Sequence, residues 1–397
     1  MQTNRKRETG FTLIELLVAM SVTLLIAAAT LGLFSYAMNV NASGSQIGNI
    51  DSNLRSAMNL VVRDLLQAGQ GYPTGGIALP TGTGCQNINR PIYTATAQFP
   101  YGCANPTTYP NMPAVAPGSG LGPNIIQNPS LTWMPQPTTN PHNSDIITFI
   151  YQDNDLVTSV NPATLLPNYL VSITATQLTF SSTVPITGAA VSDPAAPNDL
   201  FLVYGGGTAR LVEATAVSGQ VVTINSADPL NLNQQSSAPS VTGTIYDLQA
   251  LSGVTYGTTC TQPAPPTPPP ASCAYTAQRV LMISYWLDDT TVINGQLVPR
   301  LMRQVGMNAP VSVAEVIEDL EFSYDYVNGT TPVNNVTSTA AAATACSCTI
   351  TDNQIRKVNI FMAARSDTVL SATNQYLRDN MAIQVDLRSL AFVNRYQ

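Results

Sequence analysis

One carboxylate stands inside a long apolar run. Residues 11–38 are mostly Leu, Val, Ile, Ala, Met and Phe, and Glu15 is the only charged side chain among them. Placing an ionised carboxylate at the centre of a bilayer costs at least ~2.5–3.5 kcal/mol on insertion scales. A charge kept at that cost implies a partner or a role in assembly. Arg5, Lys6 and Arg7 precede the run, and Gly10 stands between them and Phe11. Cysteines 85, 103, 260, 273, 346 and 348 form a second reactive set, in three sequence-local pairs. Cys85–Cys103 and Cys260–Cys273 would each close a loop rich in Pro, Gly and Asn that has little apolar packing of its own. Cys346 and Cys348 flank one residue, and their partners stay open: each other, another cysteine, or none.

Other reactive sets are sparse. His142 is the only histidine. It sits beside a proline, far from any cysteine, and no CxxC spacing accompanies it, which argues against zinc. Asp153-Asn154-Asp155 and Asp288-Asp289 offer oxygens to Ca²⁺ but lack the glycine and terminal Glu of an EF-hand loop, and hairpin turns use the same residues. Gly205-Gly206-Gly207 lies between two strand signals and reads as a turn. No GxSxG elbow or P-loop occurs. The reading is therefore no enzyme, no cofactor and no metal. The net charge is −7, and Lys6 and Lys357 are the only lysines. Without a basic patch interleaved with aromatics, no nucleic-acid partner is expected. Charged residues make up 10% of the chain, against ~25% in ordinary soluble domains, which suits an exported protein.

The elements that must position Glu15 are helical. A helix over 11–38 would be ~40 Å long and would cross a ~30 Å hydrocarbon core. The basic flank would stay on the cytoplasmic side, leaving the rest of the chain outside. After Met38 the pattern turns amphipathic. Ile47, Ile50, Leu54, Met58, Val61 and Leu65 recur at spacings of three and four, one face of a continuing helix over 39–70. Gly69, Gly71 and Pro73 end it. A secretory signal would have a shorter apolar core and a small-residue cleavage site, and a plain anchor would leave Glu15 unexplained.

Gly10-Phe11-Thr12-Leu13-Ile14-Glu15 resembles the type IV prepilin signal: a glycine, Phe, Thr, two apolar residues, then Glu. The resemblance implies cleavage by a prepilin peptidase between Gly10 and Phe11, N-methylation of Phe11, and an assembly role for Glu15. A carboxylate on one subunit can pair with the new amine on a neighbour's Phe11, which sets register more than it adds stability. The implied partners are the peptidase, other major and minor pilins, and the inner membrane before assembly. The implied location is the bacterial inner membrane, single-pass with a periplasmic C-terminal domain, and then the pilus at the cell surface.

Residues 71–397 read as mainly β. Strand signals cover 144–152, 199–207, 279–305, 318–329, 354–365 and 381–395, and 209–225 reads as two strands about Ser218-Gly219. Asn294-Gly295 marks a hairpin. Residues 71–143 and 226–275 read as loop-rich insertions, the second holding a stiff proline-rich stretch, QPAPPTPPPASC (262–273). The segment LRSAMNLVVRDLLQAGQG (54–71) resembles the helix end of PilW-type minor pilins. Arg300-Leu301-Met302-Arg303 with VAEVIEDLEFSYD (313–325) resembles the same group and the J-class pseudopilins of type II secretion, and IRKVNIFMAARSD (355–367) again resembles the PilW type. The expectation is an α+β, type IV pilin-like fold: a leader at 1–10, a transmembrane and assembly helix at 11–38, an amphipathic continuation at 39–70, and an antiparallel β body at 71–397. The implied function is that of a minor pilin at or near the tip, priming assembly. The rival readings are a J-type pseudopilin and a pilus-mounted adhesin.

Overall fold

The computed structural model describes residues 12–92, 98–125, 142–153, 156, 170–174, 176–180, 186–188, 191, 193–205, 208–234, 276–293, 295–329, 331–370 and 375–391. Helix α1 runs from Leu13 to Leu65. The chain divides into two compact units. One holds α1 up to Ser52 with Arg365–Asp379, and the other holds Asn53–Ala364 with the chain from Asn380.

In the first unit the helix from Leu13 to Val40 is apolar and exposed on every side. The hydroxyls of Ser21, Thr23 and Thr30 turn back onto the helix. Ser21 Oγ donates to the Leu17 carbonyl at 2.8 Å and Thr23 Oγ1 to that of Ala19 at 2.8 Å. Such back-bonding satisfies these three hydroxyls within the helix itself, as an apolar surrounding requires. Further along, Gln46 Nε2 donates to Thr368 Oγ1 at 3.0 Å, and the Arg365 guanidinium lies 4.0 Å from the centroid of the Tyr376 ring.

In the second unit the helix is half sunk. Leu54, Ala57, Met58, Val61 and Leu65 are all buried, and full burial of such a side chain is worth ~1.5–3 kcal/mol. The predicted stripe holds from Ile50 onward, but Ile47 is half exposed. The helix stops at Leu65 and a turn follows, short of the 39–70 expectation. Gly69 takes φ +78° and donates its N–H to the Ile150 carbonyl at 2.8 Å. A Cβ there would meet Leu390 at 2.6 Å, so both conformation and space require glycine.

The body is built from antiparallel ladders. A seven-stranded sheet contains β1 (Val115–Gly118), β2 (Ile146–Gln152), β5 (Leu200–Gly205), β6 (Thr208–Glu213), β9 (Thr276–Asp288), β10 (Arg300–Val305) and β11 (Val311–Glu315). A four-stranded sheet is formed by β3 (Leu170–Ile173), β4 (Gln177–Phe180), β7 (Ala216–Ser218) and β8 (Val221–Thr223). It covers an apolar core that includes Leu178, Phe180, Phe201 and Val222. The last sheet runs in the order β13 (Thr331–Val336), β12 (Ile317–Asn328), β14 (Ile355–Arg365), β15 (Arg378–Asp386). Asp145 stitches β12 to β2. Its N–H donates to the Leu320 carbonyl at 2.9 Å, and its Oδ2 accepts the Phe322 N–H at 2.8 Å.

Three sequence expectations change. Residues 209–225 form three strands, because β6 pairs with β5 while β7 and β8 make their own hairpin. The 71–143 region is not all loop, since β1 joins the main sheet through β2. The chain leaves β15 at Asp386, and a short helix at Arg388–Ala391 takes over where a strand to 395 was expected. An additional helix, α2 (Thr339–Cys346), was not foreseen.

Candidate functional site

Gly10 and Phe11 lie outside the described residues. Glu15 lies in the first turn of α1. Thr12 donates to Glu15 Oε2 twice, from its N–H at 3.0 Å and from Oγ1 at 2.9 Å. Glu15 N–H points back at Thr12 Oγ1, 3.4 Å away. This is a reciprocal capping box: the threonine side chain covers a helix N–H while the carboxylate covers the N–H of the cap. The signature is Thr-x-x-Glu, present in the sequence and readable there before the structure. Both side chains are exposed, and Oε1 takes no partner among the described residues.

The other end of α1 carries a second carboxylate of opposite character. Asp64 is 2% exposed. Its Oδ2 accepts from Tyr285 Oη at 2.7 Å, on β9, and from Arg303 Nε at 2.7 Å, on β10. Arg63 reaches Oδ1 at 3.5 Å from the surface. Burial and the nearby Asp64 charge hold the Tyr285 phenol well above its usual range, so it stays a donor. The same carboxylate raises the Arg303 guanidinium. Three polar groups therefore lock the last helical turn to two adjacent strands. Arg63-Asp64 and Arg300–Arg303 lay in separate motifs of the sequence, and the fold brings Asp64 and Arg303 together.

A prokaryotic N-terminal methylation motif matches residues 5–31. The match spans the basic flank, Glu15 and α1 as far as residue 31, and α1 is long and apolar enough to cross a membrane. The motif supports a type IV pilin-like, prepilin-type protein. Neither a comparison with curated proteins nor one with solved structures finds a match. Such a motif implies processing by a prepilin peptidase and assembly with other pilins, and together with the apolar helix it suggests a membrane anchor. It points to a structural subunit.

The cysteines divide. Cys85 is bonded to Cys103 across 18 residues, and Cys346 to Cys348 across two. Cys260 and Cys273 lie outside the described residues, as does the proline-rich stretch between them. Asp153, weighed as a Ca²⁺ ligand, instead accepts Arg279 Nε at 2.5 Å, and the same guanidinium reaches Asp199 at 3.1 Å. A cation would have to displace Arg279 there. Asp288 caps its own turn, taking the Thr290 N–H at 3.0 Å. Among the described residues no group of His, Cys, Asp and Glu is arranged to hold a metal ion. His142 lies in a two-residue strand with Asn143, paired with Asn124–Ile125, where a loop was expected.

Two buried carboxyl clusters escaped the sequence reading. Glu213 and Asp228 face each other at the end of β6. Burial and the Asp228 charge push Glu213 up to about 8. Its Oε2 accepts the Leu230 N–H at 3.0 Å, while Asp228 takes the N–H groups of Leu232 and Asn233 at 2.6 and 3.1 Å. Glu321 bonds Asp145 and Asp319, and burial with those two charges pushes it up to about 10. Asp145 itself rises to about 6, chiefly through burial. Alternation in a strand does not disclose such pairs, because the partners come from distant segments.

Proposed function

We propose that this prepilin is a minor pilin of the PilW type, cleaved after Gly10, N-methylated on Phe11, and held in a type IV pilus by its N-terminal helix. Before assembly the helix spans the inner membrane with the body in the periplasm. The observation that supports this most is the continuity of the methylation motif with a helix whose residues 13–40 are exposed and apolar. A side chain such as Leu13, 82% exposed, or Leu25, 72% exposed, needs lipid or neighbouring helices around it. Glu15 Oε1 supplies the carboxylate for a neighbour's Phe11 amine, and the cap from Thr12 holds that carboxylate at the helix start. The body is large and rich in loops, which favours a low-copy position at or near the tip, where it primes assembly with other minor pilins.

The test is a null strain scored for both pili and type II secretion, with sheared pili analysed by mass spectrometry. The expected result is lost piliation with normal secretion. An N-terminal peptide beginning at methylated Phe11 should be present at low copy. Lost secretion with normal pili would identify a J-type pseudopilin instead. Normal pili that fail to adhere would identify an adhesin. Abundance equal to the major subunit would refute the low-copy position.

A further inference from the structure

The connection between β13 and β14 holds a disulfide between Cys346 and Cys348. Cys346 is the last residue of α2, and Ser347 after it takes the left-handed conformation, φ 51° and ψ 40°. That cap turns the chain back so that Cys348 meets Cys346, with Cα atoms 5.2 Å apart. Both cysteines are partly exposed, and Ala345, Ser347 and Thr349 around them are exposed. The two sulfurs therefore sit on a surface corner.

Cys85–Cys103 is of another kind. It closes a loop that carries buried Ile88, Phe99 and Tyr101. A link across eighteen residues removes much more entropy from the unfolded chain than a link across two. The short ring also has little to hold. Ser338 Oγ caps α2 by accepting the Ala341 N–H at 3.2 Å, and the Thr339 hydroxyl bonds Asp352. Ala342 on one side of the ring and Ile350 on the other are buried. Tyr101 and Tyr326 donate to Asp352 at 2.6 and 3.0 Å. A capping box of Thr351 and Gln354 starts the turn into β14. The corner is anchored on both flanks without the disulfide. An exposed link that the fold does not need belongs to the labile class of disulfides.

We propose that Cys346–Cys348 is a thiol–disulfide exchange site open to an external dithiol. A thiolate of that dithiol attacks Cys346 Sγ. The Cys346–Cys348 bond breaks, and Cys348 leaves as a thiolate that takes a proton from solvent. The helix sets this direction. Cys346 sits at the negative end of α2, where a thiolate is disfavoured, so Cys348 is the better leaving group. The second thiolate of the dithiol then attacks the mixed disulfide and releases Cys346. The prepilin gains two electrons and two protons, and the dithiol closes to a disulfide.

The experiment is a dithiothreitol titration of the full-length protein in detergent micelles, quenched by alkylation and read by peptide mapping. Cys346 and Cys348 should open at a dithiothreitol concentration at least about tenfold below that for Cys85 and Cys103. Circular dichroism should not change as they open. Opening of both disulfides together, or of the short one last, would overturn the proposal. So would loss of β-sheet signal at the step where the short ring opens. The double variant C346S/C348S should keep its Tm within about 2 °C of the parent, and a larger fall would mark the ring as a staple. For the direction of attack, Cys348 in C346S should alkylate faster at neutral pH than Cys346 in C348S. The reverse order would overturn it.

Discussion

Two halves of one helix treat their carboxylates in opposite ways. At Glu15 the side chain is exposed, its contacts are local, and one oxygen has no partner among the described residues. At Asp64 the side chain is buried, and its main partners lie 221 and 239 residues away. The apolar residues divide in the same manner. From Leu13 to Val40 they face outward on all sides, whereas Leu54, Met58, Val61 and Leu65 are sealed inside the body. A helix that buries nothing of its own over 28 residues is unfinished by itself, while one that buries a stripe is a core element. The first half is therefore specialised for neighbours and the second for its own body. Substitutions in each half should fail in different assays.

The largest effect is expected at Glu15, and glutamine separates its two roles. Gln can complete a capping box but carries no charge. Glu15→Gln should insert in the membrane, keep the helix start, and reach sheared pili at a level at least about tenfold lower, as loss of a buried charge pair implies. Immunoblotting of membranes and pili checks this. Normal incorporation of the Gln variant would reduce Glu15 to a cap and remove the charge-pairing reading.

Asp64→Ala should do the reverse and injure the body first. It leaves the Arg303 guanidinium and the Tyr285 hydroxyl without their acceptor in a buried setting. Removing one partner of such a set costs ~3–5 kcal/mol, read as a shifted urea midpoint of the full-length protein in detergent. Asp64→Asn, which can still accept from Tyr285, should lose less. An unchanged midpoint for Ala would show that the helix is held by its apolar stripe alone.

The two halves were not equally legible in the sequence. The Ile50–Leu65 stripe was readable because helical periodicity is local, and so was the apolar run. The Thr12–Glu15 cap was equally local and would have followed from its Thr-x-x-Glu spacing. Most main strands were readable from alternation and from turn residues such as Ser218-Gly219. What could not be read were the long-range choices. Asp64 finds Arg303, Asp153 takes Arg279 in place of a cation, and Asp145 ends as a stitch between sheets. Ile47 shows the limit within the stripe itself. It has the right spacing, but burial begins only at Ile50, where the tertiary structure supplies a surface.

A pH series tests the body without touching the helix. Glu213, held at about 8, ionises near its ordinary value when the chain unfolds. Its folded pKa is raised, so its contribution is fully present below about pH 4.5 and declines as pH rises to about 8. Glu321, held at about 10, acts in the same sense up to a higher pH. Acidification from about pH 8.5 to about pH 5 should therefore raise Tm by several degrees, at roughly 2–4 °C per kcal/mol in a large domain. Glu213→Gln keeps an acceptor for the Leu230 N–H and a donor toward Asp228, and it should flatten the slope between about pH 5 and about pH 8. A slope identical to that of the parent would show that Glu213 is not the group that titrates.

The smallest effect should come from Thr12→Ala. It removes the N-cap at a cost of ~1 kcal/mol, confined to the first turn of a helix whose buried residues begin 38 residues later at Ile50. Amide exchange at residues 13–16 should quicken by about fivefold, in keeping with that cost, while the urea midpoint of the body stays where it was. Filament incorporation should fall less than for Glu15→Gln, since the charge remains and only its aim is loosened. Thr12→Ala and Glu15→Gln thus remove cap and charge separately. Equal losses of incorporation from both would mean that the carboxylate works only when Thr12 holds it in place.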